Sequence, residues 1–306
     1  MRINRTPAAA RLATAVLLAR ILCLLGGLGA GPAARADSSA EQLAAYHDRY
    51  MAIREGTAYG WTGSERPTPM ISGVVQVGVG KDAYYALRRD GSLLTWSASP
   101  ANATLLMREV VSFAAGNSGW LAINRSRSLW QGSGRQPPRK VAEKAIAAAI
   151  GDGSDYYITP AGELHVRGPA SRGRDGESVA PGDVVRSAAP VVAVRTHSGR
   201  ALYLTRDGQV FGNGGTPARP GDKASTWVSL LTGVKGIAAG AAHAAAIRDD
   251  GSLWVWGSGF AVEPKKIADQ IVAVAAGRGT TVAESADGRL WAWDGGRGPR
   301  QIVLDR

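Results

Sequence analysis

Cysteine is almost missing from this 306-residue chain: Cys23 is the only one. One thiol excludes internal disulfides and thiolate zinc sites. Histidine is also scarce. His47, His165, His197 and His243 fall in different segments with no His-x-x-x-His or His-Glu pair, so no metal is expected. No Gly-rich phosphate loop, nucleophile-elbow serine or dinucleotide fingerprint occurs, which leaves no catalytic set and no cofactor in view. Dense basic runs are absent too. The longest clusters are Arg135-Gln-Pro-Pro-Arg139-Lys140 and Lys265-Lys266, so nucleic acid is not an expected partner.

Long apolar runs are confined to the first 36 residues. Arg2, Arg5 and Arg11 precede the stretch "LATAVLLARILCLLGGLGAG", and Ala34-Arg35-Ala36 supplies the small residues of a cleavage site before Asp37. This combination predicts a secretory signal peptide over residues 1–36, removed with Cys23, and a periplasmic or extracellular protein. An uncleaved leader acting as a membrane anchor is the alternative, although Arg20 interrupts the apolar run and is costly at a bilayer centre. Five of the 36 Lys and Arg lie in the leader, which has no Asp or Glu. The remaining 31 against 25 acidic residues give about +6 in place of +11, a mild excess without a patch.

What the chain does have is a motif that returns seven times. Its clearest copies are "GIAAGAAHAAAIRDDGSLWVWGSG" (236–259) and "VAVAAGRGTTVAESADGRLWAWDG" (272–295). Aligned on the hairpin residue, the copies centre on Gly56, Gly91, Arg127, Gly162, Gly208, Gly251 and Gly288, at intervals of 35, 36, 35, 46, 43 and 37. A repeat of this length built from short strands points to a propeller or array. Each copy opens with a small apolar strand ending at a fixed glycine: Gly80, Gly116, Gly151, Gly240 and Gly277. Tyr46 and His197 stand in that column instead. Ala and Gly dominate these strands, as convergence on an axis requires. Asp-Gly at 90–91, 207–208, 250–251 and 287–288 is a strong hairpin signal. Ser126-Arg127 breaks the pattern and predicts a distorted turn. The third strand carries seven of the nine tryptophans, and apolar residues on both its faces suit a sheet packed between two others. A fourth strand follows a variable loop, as in "PRKVAE", "PKKIAD" and the terminal "PRQIVLD". The expected fold is all-β: a seven-bladed β-propeller of four-stranded antiparallel blades over residues 37–306. Whether "PRQIVLD" completes the first blade or the last is open.

The pattern apolar-x-x-Ala-Ala-Gly, Ala-Ile, Asp-Gly-Ser-Leu-Trp-x-Trp-Gly resembles the regulator of chromosome condensation repeat. The sixth copy matches it best, with Gly240, His243, Ala246, Asp250-Gly251, Trp256 and Gly257 in place. The fourth copy departs from it, Arg167 replacing the aromatic, and the family's Asn-x-x-Gly-Gln-Leu-Gly segment is missing throughout. The resemblance implies a seven-bladed binding platform of a divergent, exported bacterial type. Nuclear members act in nucleotide exchange on a small GTPase and bind chromatin. Secreted relatives include an inhibitor of β-lactamase. A chain with an export leader does not meet a nuclear GTPase, so that activity is not carried over.

The strand order puts the turn after the inner strand and the loop before the fourth strand on one face, with the hairpins on the other. The first set rings the channel mouth: His47, Asp48, Arg49, Lys81, Asp82, Asp152, Arg200, His243 and Arg278. Loops on a rigid scaffold are where binding residues concentrate. The longest variable loops of this face run from 168 to 190 and from 214 to 233, the second holding Trp227. Trp227 and Trp120, the two tryptophans outside the third strand, are candidate contact residues, while the favoured reading of Trp227 is that it packs its loop on the blade. His243, although in this set, reads as a packing residue of the turn more than as a ligand. The expectation is a non-enzymatic propeller recognising a protein partner through this face. The alternative is a carbohydrate-binding or hydrolase/lyase-type propeller using Asp48, Asp82 and Asp152 as converging carboxylates.

Overall fold

The computed structural model describes residues 42–304 apart from 135, 153, 168–183, 186, 214–226 and 296. The leader expected over residues 1–36 and most of the two long loops lie outside the described residues. The rest forms seven four-stranded antiparallel sheets, each made of four strands consecutive in the chain. They occupy residues 43–72, 74–107, 110–142, 147–185, 191–231, 234–268 and 271–302. These are the seven blades of a β-propeller. The terminal strand Arg300–Ile302 pairs with Leu290–Asp294, so it completes the last blade and not the first.

The core sits between blades. Seven clusters of buried side chains fall one to each blade junction, including the seam, where Leu43, Tyr50 and Trp61 of blade one pack on Val282, Leu290 and Ile302 of blade seven. Apolar residues on both faces of every blade are what these paired interfaces consume. No single large core is needed; seven medium ones share the work.

The hairpin turns lock each blade to the next. Gly56, Gly91, Gly162, Gly208, Gly251 and Gly288 adopt φ between 75° and 86°, where glycine is the unstrained residue. The distortion expected at Ser126-Arg127 is not found. Arg127 takes the same left-handed conformation at φ 62°, and the Asn124 Oδ1 secures the turn by accepting from Ser126 Oγ at 2.8 Å and Ser128 N at 2.9 Å. At six junctions the carbonyl of the hairpin residue accepts from an N–H at the start of the following blade's inner strand, or just before it, at 2.8–3.0 Å, from Gly56 with Val74 to Gly251 with Ile271. At the seam the Gly288 carbonyl accepts from the Arg54 guanidinium.

Candidate functional site

Seven inner strands enclose a central channel of about 170 Å³, walled mainly by Ala and Val. At its mouth the inner-strand ends crowd each other. A Cβ on Gly80 would lie 2.8 Å from the Gly116 carbonyl oxygen, and one on Gly240 would lie 2.5 Å from that of Gly277. Ordinary side chains are therefore excluded from this layer, which explains the glycine column of the repeat.

The two exceptions meet. Tyr46 in blade one and His197 in blade five stack with centroids 4.8 Å apart and planes 16° apart. Their blades are three junctions apart round a seven-membered ring, so the stack spans the channel axis. His47 completes it edge-on, 4.7 Å from Tyr46 and 5.3 Å from His197. Tyr46 and His197 are only 6% and 4% exposed, so the three rings stopper the mouth. Burial, then the nearby Asp152 and Asp82 carboxylates, pushes the Tyr46 phenol up to about 12. Burial, with His47 and His243 adding, holds the His197 imidazole at about 4, so it is neutral at pH 7. Its Nε2 accepts from the His47 backbone N–H at 3.4 Å, which fits the tautomer whose Nδ1 donates to Ser198 Oγ at 2.8 Å.

Blades one and five share a second peculiarity. Each begins its second strand with arginine, and each arginine reaches the neighbouring turn: Arg49 Nη1 donates to the Lys81 carbonyl at 3.0 Å, Arg200 Nη1 to that of Ala242 at 3.3 Å. The Arg49 guanidinium also lies 4.1 Å over the Tyr84 ring. Around this frame Asp48, Lys81, Asp82, Asp152, Arg200 and Arg278 are exposed, and His47 and Arg49 are partly so.

Two of the sequence-derived candidates, Trp120 and His243, do not present a surface, and a third, Trp227, does so only in part. Trp120 is 3% exposed and packs in the core between blades two and three, because its strand position faces the neighbouring blade. His243 is fully buried. Its Nε2 meets Thr281 Oγ1 at 2.9 Å across the junction of blades six and seven, and Phe260 covers its ring. Trp227 is half-buried against Tyr156 and Tyr203, so it pins the entry to its strand between blades four and five.

The sequence model of the regulator of chromosome condensation (RCC1) repeat matches residues 234–260, which is blade six. The human E3 ubiquitin-protein ligase HERC2 is 32% identical over 136 residues, 39% of this chain, while the chain spans only 3% of that ligase. Prp20p from Saccharomyces cerevisiae superposes with a TM-score of 0.64 at 14% identity, over 86% of this chain and 82% of that one. This chain is an RCC1-like seven-bladed propeller. The CRINKLY ectodomain of the Arabidopsis thaliana receptor kinase ACR4 has the same fold, with a TM-score of 0.59 at 13% identity over 87% and 98% of the two chains.

Within this RCC1-like propeller, blade four carries an exchange that repeat counting only hinted at. The position pair that holds the stacked Tyr50–Trp61 and Tyr84–Trp96 in blades one and two holds Asp155 and Arg167 in blade four. Asp155 is 7% exposed and accepts from Gln131 Nε2 at 2.9 Å, and Arg139 in turn donates to Gln131 Oε1 at 2.8 Å. Burial raises the Asp155 carboxyl to about 6, against the opposing pull of Arg167, the Gly151 N–H and Arg139. The same burial lowers Arg167. Tyr46, His197, Asp155 and Arg167 were each visible as breaks in a repeat column, which is the signal that finds them. Among the described residues no group of three or more His, Cys, Asp or Glu could hold a metal ion.

Proposed function

We propose that this RCC1-like propeller is an exported, non-enzymatic binding module that recognises a protein partner through the channel-mouth face. The observation that carries this reading is the ring of exposed charged turn residues, Asp48, Lys81, Asp82, Asp152, Arg200 and Arg278, set on a stoppered and rigid frame. A mixture of both signs on fixed turns supports orientation-specific recognition more than bulk attraction to a polyanion. Prp20p, described with binding properties to Gsp1p and histones, supports a protein as the partner class. The leader sequence supports a partner outside the cytoplasm.

The test is capture from envelope and culture extracts with wild-type chain and with an Asp48/Lys81/Asp152/Arg278→Ala variant. One stoichiometric protein that is captured by the wild type and lost with the variant is the expected result. Capture unaffected by the four substitutions would move the interface elsewhere. A second reading draws on Asp82 and Asp152, which both act on the Tyr46 phenol and so share the mouth. They could bind a glycan or support acid–base chemistry. Glycan binding or hydrolysis abolished by Asp82→Ala and Asp152→Ala would favour it over the protein partner.

A further inference from the structure

We infer that the hairpin side of blades two and three is a docking surface for an anionic phospholipid bilayer. The surface shares no residue with the mouth ring and does not depend on the reading given to that face. Three observations carry it.

First, folding gathers cations that the sequence scatters over residues 88–144, where no basic run marks them. Arg88 and Arg89 lie at the hairpin of blade two, Arg108 in the linker to blade three, Arg125 and Arg127 at the hairpin of blade three, and Lys144 in the linker beyond. All six are exposed. Backbone hydrogen bonds join these segments into one surface. The Gly91 carbonyl accepts from Val110 N at 2.9 Å, that of Glu109 from Arg125 N at 3.0 Å, and that of Arg127 from Ala145 N at 2.8 Å. Asp90, Glu109 and Glu143 are the carboxylates among them. Asp90 Oδ1 accepts from Ser92 N at 2.8 Å, and Glu143 is bonded to Lys140. None of the six cations forms a salt bridge among the described residues. Blades six and seven differ on the same face. There Lys235, Arg248, Lys266 and Arg289 stand against Asp249, Asp250, Asp269 and Asp287, and two salt bridges form, Lys266–Asp269 at 2.7 Å and Arg289–Asp287 at 3.5 Å.

Second, Arg127 occupies the hairpin position that the other six blades give to glycine, at φ 62°. Left-handed backbone disfavours any residue with a Cβ. A side chain held there against that preference points to a use for the side chain.

Third, apolar residues stand among the cations. The register passes from Val74 to Gln76 opposite Arg88 and Leu87, and from Val110 to Ser112 opposite Asn124 and Ile123. Val75 and Val111 are therefore the bulged residues of their strands, and they are 38% and 51% exposed. A soluble polyanion gains little from valine. A bilayer interface takes apolar side chains into its acyl boundary while guanidinium groups meet the phosphates. The described chain also begins on this face, where the Gln42 carbonyl accepts from Ile53 N at 2.9 Å beside the first hairpin. Residues 32–42 join that point to the apolar stretch 12–31 of the sequence. Eleven residues reach about 40 Å at most, so a bilayer entered by that stretch lies within reach of this face.

The experiment is flotation of the full chain with vesicles of phosphatidylcholine alone and of phosphatidylcholine mixed with phosphatidylglycerol. The wild type is compared with an Arg89→Gln/Arg125→Gln/Arg127→Gly variant, an Arg206→Gln/Arg289→Gln variant and a Val75→Ser/Val111→Ser variant. Each cation near an anionic surface contributes about fivefold to binding, so the triple variant is expected to lose about tenfold or more on the mixed vesicles. The Arg206/Arg289 variant removes charge from other blades of the same face and is expected to bind as wild type does. The valine variant is expected to wash off more readily in high salt, where charge attraction is screened. Should the triple variant fail to fold, Arg127→Gly alone restores the residue of the other six blades and is expected to lose about fivefold. Equal affinity for the two kinds of vesicle, undiminished binding by the arginine variants of blades two and three, or no effect of the valine substitutions would each overturn the inference. Displacement from the mixed vesicles by double-stranded DNA at equal phosphate concentration would overturn it in favour of a nucleic acid.

Discussion

The two faces of this propeller were built under different rules. On the hairpin face one device repeats at six junctions: a left-handed turn residue gives its carbonyl to the next blade at 2.8–3.0 Å. On the mouth face nearly every blade differs. The residue that opens the second strand is Arg49, Tyr84, Gly119, Asp155, Arg200, His243 and Thr280 in turn. Uniformity marks the scaffold, because any break in a shared hydrogen bond costs stability in the same way wherever it occurs. Variety marks the side where the fold left residues free to acquire other roles.

The sharpest break in this contrast is at Gly277, a scaffold position on the variable face. A Cβ there would run into the His47 carbonyl oxygen and touch the Tyr50 hydroxyl. The same carbonyl already accepts from Arg278 N at 2.7 Å across the seam. Gly277→Val should cost about 3 kcal/mol or more, since backbone cannot yield as a side chain does. Urea unfolding measures it, and a variant within 1 kcal/mol of wild type would refute the close packing of the mouth layer.

The next effect concerns Asp155. Its folded carboxyl sits at about 6, above the ordinary 3.8. Its contribution is therefore fully present below 3.8 and lost as pH rises through 6. His197 and His243 run the other way. Both sit at about 4 in the fold, below 6.5, so their contribution is present above 6.5 and lost as pH falls through 4. Between pH 4 and 6 the two tendencies offset each other. Asp155→Asn removes one of them. It should gain about 2 kcal/mol at pH 7.5 and lose stability more steeply than wild type on acidification to pH 4.5. Unfolding midpoints at the two pH values decide the matter, and a variant destabilised at pH 7.5 would show that Arg167 outweighs burial.

The smallest effect tests the hairpin face at its one irregular joint. Arg54 is half-buried and donates to the Gly288 carbonyl, where the other junctions use backbone. Arg54→Met keeps the stem and removes the donor. The expected loss is about 1 kcal/mol, read as a shift in thermal midpoint. No shift would mean that the seam is held by its apolar cluster alone.

The scaffold was readable in the sequence because it repeats. Gly80, Gly116, Gly240 and Gly277 report a close approach that recurs, and Asp90-Gly91 or Asp250-Gly251 report a hairpin with local chemistry. Arg127 misled because its turn is secured by Asn124, three residues earlier, and not by the residue beside it. The site was only half readable. Turn residues such as Lys81 and Asp152 could be assigned to a face from strand order alone. That Trp120 points between blades, or that Tyr46 and His197 touch although 151 residues apart, depends on the angle between blades, which no local pattern encodes. Which blade takes the terminal strand was also undecided by pattern, since either answer leaves the same alternation.

That last answer has a topological consequence. Among the described residues every blade is spun from strands consecutive in the chain, with no strand lent across the seam. The ring is therefore a necklace whose clasp is made only of side-chain packing and a few hydrogen bonds, like its other six joints. Cutting it at any interblade linker and tying residues 43 and 302 together by a peptide should yield a circular permutant with the same seven beads. Mechanical pulling from the two ends should part the clasp first and leave each blade intact as the string opens.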